Sequence, residues 1–556
     1  MIDYSIRILL VWILCIMASV VHGQTTVEEA LALDIEQMLG GEPFRVGETQ
    51  IGSVWIISHL FTLREFQPIW TIDRRNLDDL MTLIAEAPSL GLEASDYHEA
   101  TLSALRSKVD ATPDPDPHIV ADLELLATDA LMRLAYHRFF GKVDPVSLDA
   151  DWNIDKPLPG PDPVVAIEAA LRGHQLLDRM RAFDPPAFFY DTIKTALARY
   201  RALADRGGWK PVPVGPTLRA GDRDPRVAAL RRRLAVTEDL PTSASLDSAE
   251  FDATVEESVK RFQSRHHLTS DGVVGQATLT ELNVPVEERI GQIRVNLERA
   301  RWIGSESPSK AVVVNIAAFR VQVFDDRQVV WTTRAQVGKE YRKTPIFRGE
   351  MTYLQFNPTW TVPPTILRKD ILPRAIPDPG YLTERGFEIL DSAGNRVDPA
   401  SLDWSRFTPE NFPYILRQGP GPTNAMGLVK FMFPNPHFVF LHDTVSRSKF
   451  DAEVRTFSSG CIRVENPLDL AEVILADPAQ WSRAKIDEVI ESSRTRNVFL
   501  DAPLPVYLVY WTVGVDEEGR VVFWRDVYDR DSAILEELNE DFRASPRILS
   551  TIRGGG

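Results

Sequence analysis

The residues best suited to chemistry lie close together in the last quarter of the chain. His442 and Cys461 are nineteen positions apart, and both occur in runs rich in the β-branched and aromatic residues that favour strands. The other cysteine, Cys15, lies in an apolar N-terminal run. If that run is removed, a single thiol remains and cannot form an internal disulfide. The candidate roles of Cys461 are then nucleophile, metal ligand or inert core residue.

Alternation along a strand predicts what surrounds the thiol. If residues 458–464 are extended, successive side chains point to opposite faces, and Ile462 and Val464 point into a core. Gly460 lets the backbone approach a substrate closely, so the amides of Gly460 and Cys461 are candidates for an oxyanion hole. The opposite face would carry a thiol, a hydroxyl and a guanidinium, from Cys461, Ser459 and Arg463.

A thiol is mostly protonated at neutral pH, so a nucleophilic cysteine needs a base or a cation nearby. His442 suits both tasks, because it can take the proton and hold it as imidazolium. Asp443 would point to the other side of the strand. We therefore expect a backbone carbonyl to orient His442. Arg463 offers a fixed positive charge for a substrate carboxylate.

Two other interpretations of this pair stay open. A buried structural cysteine can lie beside an unrelated histidine. A metal site is the second alternative, with His437, His442 and Cys461 as ligands. However, the sequence has neither the CxxC nor the HExxH spacing of metal sites. We therefore predict neither a metal nor a cofactor.

Length and charge narrow the class of protein. A chain of 556 residues predicts about three or four domains, because single cores stop growing at roughly 250 residues. The net charge of -17 argues against nucleic acid as a partner, which requires a basic surface. It also argues against a polybasic patch that binds anionic membranes.

The N-terminus has the pattern of a secretory signal. Arg7 precedes an apolar run at 8–17, and small residues follow before Gln24. We predict a signal peptide at residues 1–23 and export to the periplasm. A signal anchor is the alternative, although the apolar run is short for a membrane span.

Hydrophobic periodicity predicts a multidomain α+β protein. A helical pattern covers a predicted scaffold domain at 24–209, and a three-helix module is predicted at 217–284. From residue 310 the period becomes that of strands, which predicts a mainly β domain at 310–500 that contains both His442 and Cys461. An insert at 365–423 is too long for a simple strand connection, so we expect a lid or a small subdomain. Residues 501–556 are predicted to form a C-terminal extension.

The three-helix segment resembles the peptidoglycan-binding module of cell-wall hydrolases. The matching pieces are Gly221-Asp222 before the first helix, residues 259–263 in the second, and 271–275 at the turn before the third. A generic three-helix bundle is the alternative.

The β region resembles the YkuD-type L,D-transpeptidase catalytic domain, in the large Gram-negative branch that also carries a scaffold and a peptidoglycan-binding module. Smaller members of that family often have a histidine two positions before the cysteine. Here that position is Ser459, so the role of base rests on His442 alone. The matching segments are 337–339, 344–345, 357–363, 424–427, 430–435, 441–444, 458–464, 505–512 and 516–519.

This resemblance implies a cell-wall enzyme that forms 3→3 peptidoglycan crosslinks, with Cys461 as a nucleophile that carbapenems acylate. Donor and acceptor would be tetrapeptide stems, and the activity would affect cell-wall organisation and cell shape. Cell-wall synthesis proteins are further candidate partners. An L,D-carboxypeptidase or an enzyme that attaches proteins to the wall differs only in its acceptor. A non-catalytic wall-binding adaptor is the remaining alternative.

Overall fold

The computed structural model describes residues 25–41, 43–149, 152, 154, 156–157, 162–186, 190–303, 308–326 and 328–543. The predicted signal peptide at 1–23, with Cys15, lies outside the described residues, as does the C-terminal stretch from residue 544. Within the described part of the chain, no helix is both long and apolar enough to cross a membrane.

The N-terminal region is helical, as predicted. Its central helix, Pro117–Phe140, is buried on nearly every side. The buried Glu124 carboxylate on this helix accepts hydrogen bonds from the amides of Ile69, Trp70 and Thr71, which satisfies its charge. The helices of this region are α1 (Val27–Leu39), α2 (Val54–Leu63), α3 (Arg74–Glu86), α4 (Glu99–Asp110), α5 (Pro117–Phe140), α6 (Pro145–Leu148), α7 (Pro163–Arg172), α8 (Leu176–Arg181) and α9 (Tyr190–Asp205), with a small ribbon of β1 (Arg45–Val46) and β2 (Thr49–Gln50).

The second module has three helices and a separate apolar core. Its helices are α10 (Arg226–Val236), α11 (Ala253–Arg265) and α12 (Gln276–Leu282). Val255, Val259 and Phe262 of α11 are fully buried in that core. The module also contacts the rest of the chain, because the Thr269 amide and hydroxyl donate to the Glu453 carboxylate at 3.0 and 2.7 Å.

Helix α13 (Val286–Trp302) follows the module and was not predicted. Its sequence is rich in charged residues, which a periodicity argument interprets as solvated. In the structure, Glu298 and Arg301 of this helix are buried and form an ion pair at 2.7 Å. Paired charges therefore occupy buried positions of this helix at which hydrophobic periodicity would predict apolar residues.

The C-terminal half contains a nine-stranded sheet that holds the candidate site. Its strands are β3 (Lys310–Asn315), β4 (Arg320–Asp325), β5 (Gln328–Gly338), β6 (Phe347–Phe356), β11 (Val429–Met432), β12 (Leu441–His442), β13 (Thr456–Ser458), β14 (Ile462–Val464) and β15 (Arg496–Val509). The strand order is β13-β5-β14-β12-β11-β6-β15-β3-β4, and β4 also pairs with β5, so the sheet curls back on itself. Helices α17 (Pro467–Leu475), α18 (Pro478–Trp481) and α19 (Arg483–Glu491) follow β14.

The predicted boundary between residues 500 and 501 is wrong. Strand β15 crosses it and lies between β6 and β3, in parallel register with β3. The C-terminal segment thus begins inside the nine-stranded sheet. It continues into a hairpin of β16 (Val513–Val515) and β17 (Val521–Phe523), and then into helix α20 (Asp531–Asn539), which packs on α13.

The insert is a small subdomain with its own apolar core. It comprises β7 (Trp360–Thr361), α14 (Pro364–Ile366), α15 (Leu372–Ala375), α16 (Gly380–Glu384), β8 (Phe387–Leu390), β9 (Arg396–Val397) and β10 (Ile415–Gln418), with a four-stranded sheet in the order β7-β10-β8-β9. The subdomain therefore begins slightly before the predicted residue 365. At its base, the Asn424 side-chain amide donates to the carbonyls of Pro358 and Gly419 at 2.7 and 2.8 Å, which ties the entering and leaving chains together.

Candidate active site

A row of polar side chains crosses neighbouring strands of the nine-stranded sheet. In register, it runs through Gln336 of β5, Arg463 of β14, His442 of β12, Lys430 of β11 and Gln355 of β6. Residues paired across neighbouring strands point to the same face, and the strands are about 4.8 Å apart. His442 therefore lies between two cations, with Arg463 on one side and Lys430 on the other.

Cys461 stands just before β14, and its side chain is half-buried. It precedes Arg463 by two residues and belongs to the same face. The parallel pairing of β12 with β14 sets Phe440 opposite Cys461, and the thiol lies 3.8 Å from the Phe438 carbonyl. The histidine and the cysteine are thus brought to adjacent strands of one sheet.

The backbone before Cys461 is not one continuous strand, which corrects the prediction for residues 458–464. Gly460 has a φ of +118°, a conformation that L side chains rarely adopt, and it separates β13 from β14. After this break the predicted alternation holds, because Ile462 and Val464 are fully buried. Two hydroxyls fix the turn: Ser458 Oγ donates to the Cys461 carbonyl, and Thr344 Oγ1 donates to the Gly460 carbonyl at 2.8 Å.

Of the two amides predicted for an oxyanion hole, one is already engaged. The Gly460 N–H donates to Ser458 Oγ at 3.1 Å. The Cys461 N–H has no acceptor among the described residues. This leaves the Cys461 amide as the candidate donor to a developing oxyanion.

The predicted alternation does not extend back to Ser459, because the break at Gly460 separates it from the strand that follows. Ser459 is exposed, and its hydroxyl accepts a hydrogen bond from Arg342 Nη1 at 2.8 Å. The same guanidinium nitrogen lies 2.5 Å from Asp370 Oδ2 in the insert. Arg342 therefore bridges the cysteine loop and the insert, a contact that no local sequence pattern signals.

His442 is buried, and a backbone carbonyl orients it, as predicted. Its Nδ1 hydrogen-bonds to the Asp443 carbonyl. Because a carbonyl can only accept, Nδ1 carries the proton and Nε2 keeps the basic lone pair. The Asp443 carboxylate is engaged elsewhere: it accepts from the amides of Leu428 and Thr444 at 2.9 and 2.7 Å.

The electrostatics of the site favour neutral reacting groups at rest. Burial lowers the pKa of His442 to about 3, and the neighbouring cations act in the same direction. Burial raises the pKa of the Cys461 thiol, while the charges of Lys430 and Arg463 partly oppose that rise. At neutral pH the pair is therefore thiol and neutral imidazole, which suits proton transfer to His442 as the thiol attacks.

Two residues near the thiol were missed as site residues. Lys430 is a charged position within a strand whose neighbours, Val429 and Phe431, are fully buried. A lysine between two apolar residues of a strand was therefore the sequence feature that could have identified it as a site residue. Phe438 has a φ of +54° and remains 77% exposed beside the thiol. Left-handed geometry in a large residue is rarely visible in sequence.

Comparisons with known families agree with this architecture. Residues 309–490 match the model of the L,D-transpeptidase catalytic domain (YkuD), and residues 56–197 match the model of a scaffold domain. Residues 223–282 match a model described as "Putative peptidoglycan binding domain". The chain thus combines the three kinds of domain that the sequence resemblance predicts.

Similarity to individual proteins is also found. A Haemophilus influenzae protein named "Putative L,D-transpeptidase" is 35% identical over 251 residues, which are 45% of this chain and 50% of that protein. The chain therefore spans about half the length of this curated relative. An L,D-transpeptidase structure from Stackebrandtia nassauensis is 13% identical, covers 54% of this chain and 97% of its own, and gives a TM-score of 0.21. A second L,D-transpeptidase structure, from Xylanimonas cellulosilytica, is 15% identical. It covers 54% of this chain and 100% of its own, and gives a TM-score of 0.17.

Proposed function

We propose that this chain, which carries an L,D-transpeptidase catalytic domain beside a scaffold and a peptidoglycan-binding domain, forms 3→3 crosslinks in peptidoglycan. Cys461 attacks the carbonyl after the third residue of a tetrapeptide stem. The peptide bond to the terminal D-alanine breaks, and a thioester forms. The side-chain amine of a diaminopimelate in a second stem then attacks the thioester, which releases the thiol and creates the crosslink.

One observation carries this proposal: Cys461 and a neutral, backbone-oriented His442 lie on adjacent strands of one sheet, with two cations beside them. His442 Nε2 takes the thiol proton during attack and returns it to the departing D-alanine amine. In the second step it accepts a proton from the attacking amine, and the thiol is regenerated. The Cys461 amide donates to the oxyanion of each tetrahedral intermediate.

Product analysis tests the proposed reaction. The mature protein is incubated with purified disaccharide-tetrapeptide, and the products are identified by tandem mass spectrometry. A dimer linked between two diaminopimelate residues, with one D-alanine lost, is the expected product. Disaccharide-tripeptide alone would mean that water is the acceptor, and unchanged substrate would reject the proposal.

We place the proposed activity in the periplasm, because peptidoglycan stems are accessible there. In this view the module at 217–284 holds the enzyme on the wall and takes no part in the chemistry. Its separate core supports an independent binding role.

We expect deletion of residues 218–283 to weaken retention on intact sacculi while turnover of small soluble muropeptides continues. The measurement is co-sedimentation with sacculi, alongside circular dichroism melts that check folding. Glu453→Ala is the matched control, since it removes only the docking contact to Thr269 and should keep retention normal. Equal retention of the deletion variant and the intact protein would rule out the binding role.

Arg463 is proposed to bind a substrate carboxylate and to favour the thiolate. Its guanidinium reaches Gln336 Oε1 at 3.2 Å, and its buried Nε has no partner among the described residues. A cation near the thiol stabilises its charged form.

Arg463→Ala should therefore raise the pH at which Cys461 is alkylated by iodoacetamide, by roughly one pH unit. It should also lower transfer activity. Arg483→Ala, at a surface arginine paired with Asp469, is the control and should leave the profile in place. An alkylation profile unchanged by Arg463→Ala would remove the role in thiolate stabilisation.

The insert is proposed to act as a lid that lowers water access to the thioester. The Asn424 clamp gives it a narrow base, and the Arg342–Asp370 ion pair connects it to the loop that contacts Ser459. If the insert moves about this base, the Arg342–Asp370 ion pair would break as the insert opens and form again as it closes. Exclusion of water would favour an amine as acceptor.

Hydrogen exchange tests the lid with and without a β-lactam adduct on Cys461. The adduct should slow exchange in the insert, and Asp370→Asn should reduce that protection because it removes the ion pair. Glu410→Gln changes a charge elsewhere in the insert and should behave like the unaltered protein. Identical exchange with and without the adduct would leave only an accessory subdomain.

A further inference from the structure

Lys430 is a cation beside His442 to which neither the proposed acyl transfer nor the domain comparisons assign a role. It pairs with His442 on one side and with Gln355 on the other. Its ammonium lies 3.8 Å from the centre of the Phe440 ring. Since Phe440 stands opposite Cys461 in the parallel pairing of β12 and β14, the charge is held next to the thiol.

No protein carboxylate neutralises this charge in the part of the chain that the structure describes. Lys430 makes no ion pair there, and neither does Arg463 on the far side of His442. The next residues along the row, Gln355 and Asn497, are neutral and hydrogen-bond to each other at 3.0 Å. Half-buried cations are ordinarily paired, because desolvation of an unpaired charge is costly.

Two unpaired cations, about two strand spacings apart with the base between them, suit a ligand with two negative charges. We propose that Lys430 binds a carboxylate of the donor stem, so that the site holds a dianionic peptide between Lys430 and Arg463. This inference rests on the proposed function. The two carboxylates nearest the bond that breaks are the terminal one on D-alanine and the one on the diaminopimelate side chain.

A role for Lys430 in positioning explains its location better than a role in thiolate stabilisation alone. Arg463 already supplies a charge on the strand that carries the cysteine. Lys430 lies on the far side of His442, where it also disfavours protonation of the imidazole. A bound carboxylate would neutralise that effect, so binding of the correct donor would help His442 to accept the thiol proton.

Three donors and three variants test the assignment. The donors are the tetrapeptide stem, the stem amidated at the D-alanine terminus, and the stem amidated at the diaminopimelate side chain. The variants are Lys430→Met, which keeps length and apolar contact with Phe440, Lys430→Arg, which restores the charge, and Lys449→Met. Lys449 lies over the Phe457 ring at 4.9 Å, so its variant removes a comparable lysine-aromatic contact elsewhere.

Lys430→Met should lower kcat/KM about tenfold to a hundredfold for the unmodified stem. One of the two amidated donors lacks the carboxylate that Lys430 binds, and for that donor Lys430→Met should lower kcat/KM very little. The position of its amide then shows which carboxylate Lys430 binds. Lys430→Arg should recover most of the rate, and Lys449→Met should match the unaltered enzyme. An equal loss for all three donors would overturn the inference, and so would a change confined to iodoacetamide reactivity of Cys461.

Binding to Cys461→Ala protein separates this inference from the proposed reaction. Calorimetry with the same three donors measures affinity without turnover. If the intact enzyme transfers nothing, the proposed function fails. The carboxylate site is still supported if Cys461→Ala/Lys430→Met binds the unmodified stem more weakly than Cys461→Ala does, while the two proteins bind one amidated donor equally. Equal affinities with and without Lys430 would refute it.

Discussion

Cys461→Ala protein should form no acyl-enzyme and no crosslinked product, a loss on the order of 10⁴-fold or more in kcat. The reason is that Cys461 is the only thiol in the part of the chain that the structure describes, together with the geometry around it. The thiol lies 3.8 Å from the carbonyl of Phe438, and the backbone amide of Cys461 has no acceptor among the described residues, so it can donate to an oxyanion. Single-turnover assays on tetrapeptide stems give the measurement.

Cys461→Ser is the informative control for this prediction. The serine hydroxyl is far less ionised than a thiol, so the variant should bind donor stems but react at a small fraction of the normal rate. Unchanged melting curves would show that both variants fold. Normal crosslinking by purified Cys461→Ala would exclude the cysteine as nucleophile.

His442→Ala should lose roughly 10²–10⁴-fold in kcat, the usual contribution of a positioned general base. In the unaltered enzyme, the loss of rate on the acid side should lie well below pH 6.5, because burial lowers the pKa of His442 to about 3 and the resting imidazole is protonated by solvent only near that pH. A histidine with its ordinary pKa would lose the rate between pH 7 and 6.

His437→Ala is the matched control, since this second histidine lies on the same segment but packs its ring against Phe347 at 5.0 Å. It should keep most of the activity. A pH profile with an acid limb near 6.5 that disappears in His442→Ala would contradict the neutral, desolvated base. Activity retained by His442→Ala would point to another base.

Local patterns predicted the residues of the site better than their arrangement. Alternation correctly put Ile462 and Val464 in the core and turned Asp443 away from the imidazole, because both follow from the period of a strand. It failed at Gly460, where a positive φ breaks the strand and separates Ser459 from the residues that follow. A dihedral of that kind depends on contacts from Thr344 and Ser458, not on the alternation itself.

Sequence periodicity also could not predict contacts between segments that are far apart in the chain. Lys430 joins the site only through the register of β11 with β12, and Arg342 only through the loop after β5. Strand β15 enters the sheet beside β3, almost two hundred residues earlier in the chain. None of these partners is adjacent in sequence.

The cysteine acyl-enzyme is tested most directly by measuring the mass of the protein during the reaction. Intact-protein mass spectrometry after rapid quenching with tetrapeptide stems should show one added acyl group equal to the stem without its terminal D-alanine. Peptide mapping should locate that group on Cys461, and addition of an acceptor stem should remove it as the crosslinked dimer appears. Crosslinks formed without this adduct, or an adduct on any other residue, would contradict the cysteine acyl-enzyme.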